Sequence, residues 1–471
     1  MKSLQRLSIV LILVTMVLSA CTPAATPTTA ASAQPTQAIA AAVPTETTAP
    51  KKPAAVKPAI SMWVDTGGDA TVAQCVIDKV IGNFNTKDNT FTVDGQPQAN
   101  AWDAIRTAVS GGGGPDIVYT PGPSFVYEMA KAGQLLPLDT FAKDLSWDKQ
   151  FLPWALSLGK VDGKLYSIPS EIETMVLYYN KTVFAEHGWT PPTTIDEYLK
   201  LVTDIKAAGL IPNAAGNSDW KPADEHYWTI FVNHIAGPQK VYEALTGKTP
   251  WTDPAIQKAV ETMDKLFING DFMTSLDLYY TTTSAQFLTA LGDGKAAMAP
   301  SGTWWMGNIG DYFGEKAGNK NDWDWVSFPT TDGKPLFTLG IGSTYSINAA
   351  TKYPKESAQF LTYYFSPEAQ AISIAQCGVA PAPINITADQ LKGIDPRRAR
   401  LIEELNKAAN AGQYGYTTWT FWPPKSDAYI YDEIEKVWGK QLTLPDYLKG
   451  LDAQFQEEFK GGNTLPIPER K

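Results

Sequence analysis

Between Ala59 and Tyr119 the apolar positions alternate between two spacings. Ala59-Ile-Ser-Met-Trp-Val64 is a short apolar run of strand length. Val72, Val76, Val80 and Phe84, with Ile77 and Ile81 beside them, recur at helical spacing and predict one buried helix face. Phe91-Thr-Val93 predicts the next strand. Trp102, Ile105 and Val109 predict a second helix, stopped by Gly111 to Gly114, and Pro115-Asp-Ile-Val-Tyr119 a third strand. This rhythm predicts an α/β fold with parallel, doubly wound layers. Ligands of such sheets sit beyond the carboxyl ends of the strands, here Trp63 to Thr66 and Tyr119 to Phe125.

The amino-terminal pattern differs. Lys2 and Arg6 precede an apolar run, Leu7 to Leu18, of signal-peptide length and too short to span a bilayer comfortably. It ends in Leu18-Ser-Ala-Cys21, which resembles a bacterial lipobox and makes Cys21 the expected acylation site. Residues 22–58 hold twelve Ala, eight Thr and seven Pro, with too little apolar bulk to offset their ordering entropy, so they read as a disordered tether. No aromatic residue occurs before Trp63, whereas the rest of the chain has all 53.

Beyond residue 58 the chain carries 34 basic against 48 acidic residues, which argues against nucleic acid as a partner. Three cysteines are too few for a disulfide scaffold, and three histidines (His187, His226, His234) make a His-based metal centre improbable, so no metal and no cofactor are expected. The glycines at 111–114 follow a helix and precede a strand, the wrong order for anion binding, and lack the Lys-Ser/Thr of a phosphate loop. They read as a turn, as does Gly292-Asp-Gly-Lys295.

Ser110 to Tyr119, Ala132 to Asp139, Asp162-Gly-Lys-Leu-Tyr-Ser-Ile-Pro169, Leu177 to Phe184, His187 to Tyr198, Gly294 to Met298, Gly302-Thr-Trp304 and Pro354 to Leu361 together resemble, in order, the extracellular solute-binding proteins of ABC importers, family 1, which includes maltose-binding protein. The resemblance implies two α/β lobes joined by crossing hinge strands, with ligand in the cleft between them. It places the N-lobe at 59–170 plus 336–378 and the C-lobe at 171–335 plus 379–471. It implies a monomeric, lipid-anchored receptor at the outer face of the cytoplasmic membrane or in the periplasm. Such a receptor takes a small carbohydrate, closes over it by hinge motion and delivers it to permease subunits.

The candidate ligand contacts each have a plainer alternative. Asp65 ends the first strand and either binds or caps the next turn or helix, and Trp63 beside it faces either cleft or core. Ser124 and Phe125 lie in the loop after the third strand, where the family places ligand contacts; the charged residues maltose-binding protein has there are absent, which argues against maltose itself. Glu171 and Glu173 share one side of an extended segment, about 7 Å apart. That suits gripping hydroxyls or a cation, or a hinge ion pair. Glu225 and Tyr227 match a Glu and Tyr of the family's cleft, against an aromatic helix start facing the core. Trp304 matches the family's sugar-stacking Trp. Gly342 matches a glycine-rich strand facing the cleft, and Trp422 is an aromatic candidate in a proline-flanked stretch. Two other functions fit the residues: a polyamine or other cation held by the same aromatics and carboxylates, and, more remotely, a cleft glycoside hydrolase, which neighbours on one strand serve poorly. Once Cys21 is acylated, Cys75 and Cys377 remain, both in the N-lobe on the family mapping. They either form a disulfide across 302 positions or pack as two separate buried thiols.

Overall fold

The computed structural model describes residues 57–65, 70–87, 90–98, 101–221, 223–384 and 391–470. Cys21, the lipobox and nearly all of the 22–58 segment lie outside them. In chain order the strands are β1 (Ala59–Asp65), β2 (Thr92–Gln98), β3 (Ile117–Thr120), β4 (Lys160–Val161), β5 (Lys164–Leu165), β6 (Ser167–Pro169), β7 (Ile172–Glu173), β8 (Met175–Asn180), β9 (Ile211–Asn213), β10 (Ala296–Gly302), β11 (Trp323–Ser327), β12 (Phe337–Ile341), β13 (Thr344–Ile347) and β14 (Tyr414–Tyr416).

The N-lobe is built on the sheet β2-β1-β3-β13-β6. In β1 alternate residues Ile60, Met62 and Val64 are buried, the period-2 signature of a sheet face on its core. The expected helix runs through residues 70–86 and buries Val76, Val80 and Phe84, with a wider π turn over Val76–Ile81. The helix Ala101–Ser110 buries Ile105 and Val109, and the amides of Gly111 to Gly113 bond back to its carbonyls, so the glycine run is a turn. The helices Pro354–Tyr364 and Pro367–Cys377 join this core through Phe360, Leu361, Ala369 and Cys377. Cys75 and Cys377 are disulfide-bonded, with Cα atoms 5.5 Å apart.

The C-lobe surrounds the sheet β11-β8-β10-β9, whose strand β8 is buried at all six positions because both faces are covered. Its core continues into the helices Pro396–Ala411, Pro424–Trp438 and Leu444–Lys460. The parallel expectation holds for β1 with β2 and β3, but β13 runs antiparallel to its neighbours β3 and β6, and β8 is antiparallel to both its neighbours. The sheets are mixed because chain crossing from one lobe re-enters the other lobe's sheet from the opposite end. Among the described residues no helix is long and apolar enough to cross a membrane.

Candidate functional site

Two of the chain's crossings between the lobes run side by side. One runs from β6 through residues 170–174 into β8; the other runs from β12 through Gly342 and Ser343 into β13. The Ser170 amide donates to the Ser343 carbonyl at 2.8 Å, and the Gly342 amide to the Glu171 carbonyl at 3.0 Å. Gly340 stands opposite Glu173 and Ile341 opposite Ile172. This ribbon carries Glu171 and Glu173. A Cβ on Gly342 would lie 1.9 Å from the Glu173 carboxyl carbon, so only glycine leaves the carboxyl its place. The two carboxyls hydrogen-bond to each other. Burial pushes Glu171 up to about 7, and burial with the Glu171 charge lifts Glu173 well above the carboxylate range. The pair therefore holds a proton near neutrality. Buried Arg398 pulls Glu171 back toward ionisation.

Asp65 reaches the same region from the end of β1. Its carboxylate accepts from the Ala101 amide at 3.3 Å, capping the second helix, and from the Tyr119 hydroxyl at 3.4 Å. The helix that Asp65 caps is thus the one at Ala101, not the one that follows it in the chain.

The C-lobe contributes an aromatic wall. Trp304 lies on the short turn Thr303–Gly307 after β10, and its ring covers Gly302, where a Cβ would fall 1.9 Å from a ring carbon. His226, from the helix Ala223–Phe231, packs 4.7 Å from Trp304 and 5.2 Å from Trp419 between ring centroids. Trp419 comes from the helix Thr418–Phe421 and stands edge-on to Trp304 at 6.1 Å. Burial lowers His226 to about 3, so its imidazole is neutral near pH 7. Next to it, Glu225 is buried and accepts from the Thr418 hydroxyl at 3.0 Å. Glu225 hydrogen-bonds Asp427, whose carboxyl burial raises to about 7. Glu225 itself is held well above the carboxylate range, by burial first and by Asp427 second.

The sequence-derived candidates divide. Glu171, Glu173 and Gly342 meet on the crossing strands, and Trp304 keeps a partly exposed ring. Trp63 is half-buried against the small cluster that includes Trp102, and Phe125 meets Trp102 edge-on at 5.2 Å. Ser124 is buried and donates to the carbonyls of Trp419 and Trp422 at 3.1 and 2.9 Å, so its hydroxyl is spent on tying its loop to the C-lobe. Two candidates are corrected. Tyr227 is enclosed by Phe267, Phe272 and Tyr279, and Trp422 is fully buried against Trp228 and Trp251. Both are core rings, and Trp419 is buried as deeply as Tyr227, whereas His226 keeps part of its ring exposed. His226, Trp419 and Asp427 were not singled out from sequence as site residues. Helical spacing around Glu225 and Trp422 was the available signal for the first two. Among the described residues no group of three His, Cys, Asp or Glu could hold a metal ion.

A family model of bacterial extracellular solute-binding proteins matches residues 80–393. A probable sugar-binding periplasmic protein of Brucella suis is 25% identical over 406 residues, covering 84% of this chain and 90% of its own. Among solved structures, a chitin oligosaccharide binding protein superposes with a TM-score of 0.69 at 21% identity, over 85% of this chain and 98% of its own. The maltose/maltodextrin-binding domain of Bdellovibrio bacteriovorus, bound to maltotriose, gives 0.61 at 18% identity over 85% and 100%. These two share the two-lobed fold. The family and these relatives are transport receptors rather than enzymes, and the chain belongs to the bacterial extracellular solute-binding proteins.

Proposed function

We propose that this protein is a lipid-anchored carbohydrate receptor that captures a sugar between its lobes and hands it to the permease of an ABC importer. The observation that carries the reading is the Trp304 ring, set over Gly302 beside neutral His226 and Trp419, on a turn whose Thr303 is hydrogen-bonded to Thr174 of the crossing ribbon that bears Glu171 and Glu173. An indole face suits the axial C–H groups of a pyranose. A carboxyl pair that keeps a proton both donates and accepts, as sugar hydroxyls require. The sugar-binding name of the Brucella relative supports the same class. A thermal-shift screen against mono- and oligosaccharides tests it, since ligand that binds only the native state raises the melting point. No shift with any sugar, together with a shift for a polyamine, would overturn it.

The cationic reading has its own support in Asp65, Glu171 and Glu173 converging on one another. Its weakness is that the shared proton removes part of their charge. A titration series in salt separates the two: polyamine binding weakens as salt rises, and binding of a neutral sugar barely changes. The anchor is tested separately. Cys21→Ser releases the protein from membranes if Cys21 is acylated, as Leu18-Ser-Ala-Cys21 suggests. Full membrane retention of that variant, with no lipid on wild-type Cys21, refutes it.

A further inference from the structure

The carboxyl end of the helix Pro367–Cys377 is held from three directions. Its body belongs to the N-lobe core, and the disulfide ties Cys377 to Cys75, just before the π turn of the first helix. From the C-lobe helix Pro396–Ala411, buried Arg398 donates from Nη1 to the Ile374 carbonyl at 2.7 Å and from Nη2 to the Val379 carbonyl. A cation at the carbonyl end of a helix is favourably placed. The third hold is backbone on backbone. Gly378, which caps the helix with φ +76°, touches Gly307, the last residue of the turn that carries Trp304. A Cβ on Gly307 would stand 2.3 Å from the Gly378 carbonyl oxygen and 2.9 Å from its Cα. Just beyond, the Pro381 carbonyl accepts from the Ile172 amide of the crossing ribbon at 2.8 Å.

We propose that this helix end is the joint that sets how closely the two lobes meet over the cleft, with the Cys75–Cys377 bond as its brace. Two main chains in contact, with no side chain between them, have no soft rotamer to absorb a shift. Movement of the helix end is therefore passed to the turn bearing Trp304 and, through Arg398, to the C-lobe helix. The disulfide opposes that movement by fixing the helix end to its neighbour in the N-lobe. The effect on ligand affinity rests on the carbohydrate reading above; the joint itself does not.

The experiment is hydrogen exchange read by mass spectrometry on the full chain in detergent, with and without dithiothreitol, and on Gly307→Ala with the bond intact. Reduction is expected to raise exchange about tenfold or more in peptides 303–308 and 374–384 together, while β1 stays protected. Gly307→Ala is expected to raise the same two peptides without reductant. A rise confined to 70–81 and 367–377 on reduction, or no change in either peptide for Gly307→Ala, overturns the proposal. If reduction unfolds the N-lobe outright, the Gly307→Ala result decides. Calorimetric titration with maltotriose is the second readout, with about tenfold weaker binding expected for Gly307→Ala. Failure of the wild type to bind maltotriose bears on the ligand reading and leaves the exchange result standing.

Discussion

Trp304 and Trp422 differ by what surrounds them rather than by what they are. Trp304 lies over a glycine and leaves part of its ring free, whereas Trp422 is enclosed by Trp228 and Trp251. Trp304→Ala should weaken sugar binding by about 1–3 kcal/mol with little change in stability. Trp422→Ala should cost about 3–5 kcal/mol of folding free energy, the range for deleting a core aromatic. Calorimetric titration and urea denaturation of both variants check this; the reverse pattern would exchange their roles. Spacing alone placed Glu171 and Glu173 on one side of a strand, and the fold brings their carboxyls into a hydrogen bond. Carboxyls bonded to one another cannot flank a glycosidic bond from two sides, which disposes of the hydrolase arrangement at this pair.

At the scale of elements, the helix faces were legible because burial imposes a period, and Val76, Val80, Phe84, Ile105 and Val109 are buried as that period requires. The π turn and the antiparallel entry of β13 were not, since both depend on what the chain meets elsewhere. The two cysteines were visible, but their bond was one of two open readings until the first helix and the helix Pro367–Cys377 were found side by side. Closing a loop across 302 positions gives the bond leverage over the unfolded chain, worth about 5 kcal/mol in the chain-entropy model. Urea denaturation with and without dithiothreitol should show a loss approaching that size. A midpoint unmoved by reduction would mean that the bond adds nothing to stability.

Across the whole molecule, buried acid groups couple stability to pH. Asp427, raised to about 7, holds its proton in the folded state over a range where the unfolded chain has lost it. Its contribution is therefore present at low pH and disappears as pH rises from about 4 through 7. His226 and His234, lowered to about 3 and about 4, act in the opposite sense across part of that window. The test is therefore a difference: the stability of Asp427→Asn minus that of wild type should increase between pH 4.5 and pH 8, measured by urea denaturation at each pH. A flat difference would show that Asp427 titrates normally. The sequence alone determined the α/β class, because hydrophobic period is a local property, and the ordered motifs that resemble the family implied its two lobes. Only the tertiary structure decided that His226 packs against Trp304 and Trp419 with part of its ring exposed, while Tyr227 and Trp422 fill the core. Neighbouring residues on a short helix point in different directions, and the packing of the opposing elements determines which of them is enclosed.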